Sequence, residues 1–395
     1  MPKVLRIINR FNLGGPTYNA AYLTRYMYPE FHTLLVGGMK EETEENSEFI
    51  IRNLGIVPIT IPDMRRSINP IKDYVALRKL SEIIEDYKPD IVHTHASKAG
   101  ALGRRAACRM KVPVIIHTFH GHVFDAYFSG IKSQMYQCIE RNLAKKSSKI
   151  IALSEIQKND LVNKYKICPE DKVRVIPLGF DLSRFRENMD EKRKQFRNDY
   201  LLDDDEIAIG IVGRIVPIKN HNLFLEGIKY VAERSGKKIR AFIIGDGEDK
   251  YKVMEKCRTL GLSSVDSTVE KRKAVVTFTS WMKDVDCVNA GMDIISLTSF
   301  NEGTPVSLIE AQAAGKPVIT TSVGGIGNIV IPEKTALLSD INLKGDFPEK
   351  LLTLVQDEDM RNNFSSAGWD FVHEKFSYNR LVENMKNLYN ELLSQ

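Results

Sequence analysis

The sequence predicts an α/β protein made of two doubly wound, parallel-sheet domains in series, and three features predict it. Short runs rich in Val and Ile alternate with helical patterns, the signature of parallel βαβ units. The alternation breaks once, in the polar and charged stretch 181–206, and then restarts. The length, 395 residues, also exceeds what one hydrophobic core normally supports.

Taken in order, KVLRII at 3–8 is a short buried strand, and the charges within its apolar surroundings argue against a signal peptide. NLGGPT at 12–17 is a glycine turn before an amphipathic helix that starts at Tyr18. Strands follow at 33–37 and 57–61, with a solvated acidic run at 41–49 between them. A helix at 70–87 leads to DIVHTH at 90–95, and a helix from Ser97 to Met110 leads to the strand at 112–119. A helix at 132–147 and strands at 149–154 and 173–179 complete a first domain, residues 1–180. Beyond the junction, strands at 208–215, 239–247, 275–281, 292–298 and 317–325 alternate with helices in a second domain, 181–375. Residues 376–395 read as a last helix that packs back on the body. Two Rossmann-like halves of this kind carry a ligand crevice where the C-terminal ends of their strands face each other.

Composition narrows the function. A hydrophobic content of 43% and a charged content of 27% are ordinary for a globular chain. No apolar run approaches the roughly eighteen residues of a membrane span. The five cysteines are scattered without a CxxC pair, which fits a reduced, cytoplasmic setting with no structural zinc. The net charge of +5 is uneven: residues 1–180 hold 27 basic and 18 acidic side chains, and 98–149 alone holds 10 against 2.

The chemistry gathers around LTSFNEGTPVSLIEAQAAGKP at 297–317. Thr304 reads as an N-cap and Pro305 as the first helical residue, with Gly315 and Pro317 as the stop. Glu302 then precedes a helix N-terminus and Glu310 lies inside the helix. Free amides at such an end hold phosphate, and carboxylates accept hydrogen bonds from sugar hydroxyls, so the stretch suggests a nucleotide-sugar site. In GRIVPIKN at 213–220, Arg214 and Lys219 follow a buried strand, where two cations could neutralise a departing phosphate in place of a metal. Taken alone, such a loop is more often solvated surface. GDGED at 245–249 and GGIGN at 324–328 do not complete GxGxxG and read as tight turns. Five of eight histidines fall between 93 and 122. No carboxylate or thiolate partners for zinc are evident beside them, and His120, just past a strand, is the best-placed active-site candidate. The Asp-rich spots at 203–205 and 284–286 read as surface.

Together these residues resemble the retaining glycosyltransferases of the GT-B fold, family 4 of the sequence-based classification, in a bacterial branch that builds surface polysaccharides. The likeness runs through NLGG, HTHASKAGALGR, HTFHGH, ALSEIQKNDL, VIPLGFDLSRF, GRIVPIKN, IIGDGED, FNEGTPVSLIEAQAAGKPVI and VGGIGNIV in order. It implies that Glu302, with the amides of Gly303 and Thr304, holds the donor sugar and β-phosphate, and that Glu310 binds the ribose hydroxyls. It further implies that Arg214 and Lys219 clamp the diphosphate, that Gly14 and Gly15 close on it from the other domain, and that His120 sits by the donor sugar and acceptor hydroxyl. Retention by front-face attack, no dedicated base, no metal and no cofactor are the family norm. One departure is Asn328, where many relatives carry an acid, with Gly327 in place of a neighbouring proline.

The resemblance implies that the donor is a nucleoside-diphosphate sugar, UDP-linked, carrying a hexose or N-acetylhexosamine. The acceptor would meet the first domain, where Lys98, Arg104, Arg105, Arg109, Lys111, Lys145, Lys146 and Lys149 are interleaved with Phe124, Tyr127 and Phe128. That mixture suits an anionic membrane and a polyprenyl-diphosphate-linked acceptor at the inner face of the cytoplasmic membrane. Nothing resembles a nucleic-acid-reading motif. A nucleotide-sugar 2-epimerase of the same fold, a non-catalytic nucleotide-sugar-binding subunit and a two-carboxylate glycosidase are the competing readings.

Overall fold

A computed structural model describes residues 1–11, 15–39, 48–65, 67–120 and 131–395. It divides into two compact units, Met1–Phe180 with Lys375–Gln395, and Asp181–Glu374.

The first unit is built on seven parallel strands: β1 (Lys3–Ile8), β2 (His32–Gly38), β3 (Ile59–Ile61), β4 (Ile91–His95), β5 (Val114–Thr118), β6 (Lys149–Ala152) and β7 (Val173–Val175). Their order is β3-β2-β1-β4-β5-β6-β7. The direction of winding reverses between β1 and β4, so their C-terminal ends form the switch point where such sheets bind ligands. Helices cover both faces, which is why β1, β4 and β5 are almost entirely buried rather than alternating. The C-terminal helix Tyr378–Leu393 belongs to this unit: Leu381, Met385, Leu388, Tyr389 and Leu392 share a core with Val4, Ile91, Ile116 and Ile151.

The second unit repeats the plan with β8 (Glu206–Val212), β9 (Lys238–Ile244), β10 (Ser264–Asp266), β11 (Val276–Ser280), β12 (Ile294–Leu297), β13 (Val318–Thr321) and β14 (Ala336–Ser339). The order β10-β11-β9-β8-β12-β13-β14 puts its switch point between β8 and β12. The loops that leave those two strands carry Arg214, Lys219 and Glu302.

The stretch 181–206 holds the helix Met189–Asp199. Phe196 of that helix is buried against Gly291, where a Cβ would stand 2.3 Å from its ring. Arg197 is also buried, donating to the Glu206 carbonyl at 2.9 Å and to Asp293 at 3.4 Å. One aromatic among charges gave too weak a helical period to read. Thr304 does not cap the central helix. Pro305 takes the cap position with extended backbone, φ −70° and ψ 108°, and the helix runs Val306–Ala313. A residue that precedes proline is pushed toward extended backbone, and here the proline itself stays extended, so the helix starts one residue later.

Candidate active site

In the second unit, three loops at the strand C-termini are tied into one frame. β8 runs into Gly213, whose N–H bonds the Ile244 carbonyl at 2.9 Å, and Ile215 bonds the Asp246 carbonyl at 2.9 Å. A Cβ at Gly245 would stand 2.0 Å from the Gly213 carbonyl oxygen, and one at Gly247 would stand 2.2 Å from that of Ile215. The GDGED glycines are therefore there to let the Arg214 loop lie directly on the turn after β9.

Beyond β12, the Thr298 hydroxyl donates to the carbonyls of Lys219 (3.1 Å) and Asn220 (3.0 Å). The Phe300 N–H bonds the Ile218 carbonyl at 2.8 Å. From β13, the Thr321 hydroxyl donates to the Ser299 carbonyl at 2.6 Å. Gly325 donates its N–H to the Glu302 carbonyl at 2.8 Å. A Cβ at Gly324 would fall 2.1 Å from the Glu302 carbonyl oxygen, and one at Gly325 1.8 Å from that of Gly303. The second glycine pair thus supports the Glu302 loop backbone to backbone, a role that the identity of residue 328 does not enter.

This frame sets the side chains. Lys219 Nζ lies 2.6 Å from Glu302 Oε1, and the buried Ser299 hydroxyl donates to the same oxygen at 2.5 Å. Both donors on one oxygen leave Oε2 as the carboxylate's available acceptor. Arg214 is exposed, with no ion-pair partner among the described residues. The N–H groups of Gly303 and Thr304 likewise donate to no group among the described residues, and they precede a helix N-terminus that favours anions. Sequence reasoning passed over Ser299, although it stands three residues before Glu302. A hydroxyl aimed inward looks like any other serine in a single sequence.

Glu310 lies one turn into the helix. Burial of its carboxyl pushes its pKa up to about 7, against a lowering pull from Arg184 and with a further rise from Asp286. Part of the residue still reaches solvent. Arg184 sits in the turn Ser183–Phe185; its carbonyl accepts from Lys192 Nζ at 2.6 Å, and that ammonium pairs with Asp286 at 2.9 Å. Arg184 is thus a second cation beside Glu310 that the sequence did not single out.

In the first unit, four histidines crowd the ends of β4 and β5. His93, His95 and His117 are fully buried. His93 Nδ1 lies 2.6 Å from the Tyr389 hydroxyl and Nε2 2.8 Å from Thr118 Oγ1, while His117 Nδ1 lies 2.9 Å from Thr94 Oγ1. His120 is half-buried, with Nε2 3.0 Å from His95 Nδ1. Burial lowers the pKa of all four, that of His120 to about 3. Each is a neutral imidazole at pH 7, a hydrogen-bonding group rather than a proton donor. The described residues contain no group of three or more His, Cys, Asp or Glu arranged to hold a metal ion.

Gly15 opens the helix Gly15–Tyr26, and a Cβ there would meet Leu178 at 3.3 Å. Gly14, His122, Phe124, Tyr127 and Phe128 lie outside the described residues. Of the basic set at 98–149, three members are committed internally: Lys98 pairs with Asp73, Arg104 is buried against Glu140 at 2.6 Å, and Lys149 donates to the Asp171 carbonyl at 2.6 Å. Arg109, Lys111, Lys145 and Lys146 are exposed at the helix C-termini, the end of the sheet away from the strand C-termini.

Comparison with known proteins agrees with this geometry. Residues 192–370 match the family model for glycosyl transferases group 1, and residues 14–184 match that for glycosyltransferase family 4. The UDP-Gal:alpha-D-GlcNAc-diphosphoundecaprenol alpha-1,3-galactosyltransferase of Escherichia coli is 30% identical over 336 residues, covering 84% of this chain and 83% of that protein. The capsular polysaccharide biosynthesis glycosyltransferase CapM of Staphylococcus aureus is 28% identical, covering 84% of each. Among solved structures, Anabaena Alr3699/HepE in complex with UDP superposes with a TM-score of 0.78 at 16% identity, covering 98% of this chain and all of that one. A glycosyltransferase from Rickettsia africae gives 0.79 at 20% identity, covering 99% and 98%.

Proposed function

This chain belongs to the family 4 glycosyltransferases of the GT-B fold, and we propose that within the family it moves a hexose or N-acetylhexosamine from a UDP-sugar to a lipid-linked sugar, with retention. The observation that carries the proposal is the Lys219–Glu302–Ser299 cluster, together with an exposed Arg214 and the Gly303 and Thr304 amides, which have no partner among the described residues. That arrangement offers two cations and two N–H groups for a diphosphate and one carboxylate oxygen for sugar hydroxyls. Glu310 takes the ribose hydroxyls. His120, a neutral imidazole, and Gly14 and Gly15 keep in this proposal the donor-site roles that the family resemblance implies.

In the proposed reaction the bond from the anomeric carbon to the β-phosphate oxygen breaks. The acceptor hydroxyl attacks from the same face, and its proton passes to a leaving phosphate oxygen. Arg214 and Lys219 neutralise the charge that builds there, so this route calls on no metal ion and no protein base. The E. coli relative, by its name, uses UDP-galactose and a diphosphoundecaprenol-linked acceptor, which supports the choice of both substrates. Such an acceptor would bring the chain to a membrane surface; no helix among the described residues is long and apolar enough to cross one.

The test is transfer from a panel of UDP-sugars to a short-chain polyprenyl-diphosphate sugar, with and without EDTA, and proton NMR of the new linkage. A product with the donor's anomeric configuration, formed equally in EDTA, is expected. An inverted product or loss of activity in EDTA overturns the mechanism. Epimerised or hydrolysed donor with no transfer puts the 2-epimerase reading in its place.

A further inference from the structure

We propose that Ile68, Asn69 and the first turns of the helix Pro70–Tyr87 form the face that docks this chain on an anionic lipid bilayer. The proposal rests on the lipid-linked acceptor proposed above. Ile68, Ile71 and Tyr74 expose 69%, 78% and 68% of their surfaces, and all three fall together within seven residues. Ile71 and Tyr74 are three residues apart on a helix and share a face.

This exposure is held in place by the structure around it. Asn69 caps the helix, with its side-chain oxygen accepting from the N–H groups of Ile71 and Lys72 at 3.1 Å each. Ile68 then occupies the position before the cap, where an apolar residue usually packs on the fourth helical residue. That residue here is Asp73, so Ile68 has no apolar partner of that kind. Lys98 donates to the Ser67 carbonyl at 2.5 Å and pairs with Asp73, which fixes the helix start on the body of the unit. The capped helix start therefore presents three apolar side chains outward.

The surrounding charge selects the occupant. The two acids of the loop after β3 and the first helical turn are committed, Asp63 to Lys79 at 3.0 Å and Asp73 to Lys98. The remaining acids of the helix, Glu82, Glu85 and Asp86, lie in its last turns, away from Ile68, Ile71 and Tyr74. Arg65 and Lys72 are exposed, with no ion-pair partner among the described residues. Apolar and aromatic side chains beside unpaired cations match the interfacial layer and headgroups of an anionic bilayer. A symmetric contact between two copies would instead set Arg65 and Lys72 against their own equivalents. The location also fits. The loop leaves the C-terminal end of β3, the same end of the sheet at which His95 and His120 lie, whereas exposed Arg109, Lys111, Lys145 and Lys146 lie at the opposite end.

The experiment is co-sedimentation of the full chain with phosphatidylcholine vesicles, and with vesicles containing about one-third phosphatidylglycerol, at low and high salt. Wild type is expected to bind the anionic vesicles, less so at high salt. Ile71→Ser/Tyr74→Ser and, separately, Lys72→Glu are expected to lower binding about tenfold. Both variants should keep the wild-type melting temperature and the wild-type rate on a detergent-dispersed short-chain acceptor. Equal binding by wild type and the double variant, or no binding by wild type, overturns the proposal. So does a wild-type dimer that the double variant dissociates, which would assign the patch to a second copy. Vesicle binding that depends on the patch, with no transfer to the lipid-linked acceptor, would remove the acceptor reading and leave the docking face standing.

Discussion

Glu302 carries the donor-site argument, and its surroundings make it testable by a residue that touches no substrate. Ser299 and Lys219 both donate to Oε1, which fixes the rotation of the carboxylate and leaves Oε2 as the acceptor. A hydrogen bond to a charged group contributes about 1.5–3 kcal/mol. Ser299→Ala is therefore expected to lower kcat by about tenfold or more with KM for the donor little changed and the melting temperature held; a wild-type kcat would remove the positioning role. Glu310 gives a second prediction, from its pKa of about 7, raised above the ordinary carboxylate value by burial. An acid raised in this way keeps its proton in the folded state until the pH approaches 7, and only above that does it become the better acceptor for ribose hydroxyls. UDP-sugar affinity is expected to rise as pH goes from 6 to 8, where the diphosphate diester does not titrate, and Glu310→Gln should flatten the profile. The same raised pKa means that the folded state loses a contribution as pH rises from about 4.5 to about 7.

Among elements, the strands leading into the site were the most legible, because parallel strands covered on both faces read as continuous apolar runs. Val4–Ile8, Ile91–His95 and Ile294–Leu297 stand out in that way. The edge strands β10 and β14 and the helix Glu358–Phe376 carried too little period to be read, whereas Asp346–Gln356, with buried Phe347, Leu351, Leu354 and Val355 at helical spacing, was legible and passed over. Thr304 shows another limit: its identity suits a cap, but the proline after it decided where the helix begins. The glycine pairs were legible as turns, while their purpose, letting backbone approach backbone, needs the third dimension. Gly325→Ala is therefore expected to abolish transfer by displacing Glu302, at little cost to the first unit, as activity and limited proteolysis would report. Tyr389 was invisible as anything but a core aromatic. Its hydroxyl accepts from the fully buried Arg6 at 2.8 Å and meets His93 at 2.6 Å, joining the last helix to β1 and β4. Tyr389→Phe leaves both groups short of a partner and is expected to cost about 1–3 kcal/mol in urea unfolding of the first unit. A smaller loss would make the network dispensable.

For the whole molecule, two parallel sheets of seven strands each bring chemistry to the C-terminal ends of their strands, neutral histidines in one unit and paired charges in the other. The proposed donor site holds a nucleotide sugar in the second unit through Glu302, Glu310, Arg214 and Lys219. A thermal-shift panel of UDP, GDP, ADP and their common sugar conjugates, each with and without EDTA, run on wild type and Glu310→Ala, tests it. Selective stabilisation by UDP and one UDP-sugar, unchanged by EDTA and lost in the variant, is expected. A folded wild type whose melting temperature no nucleotide shifts, or a shift that survives Glu310→Ala, would contradict it.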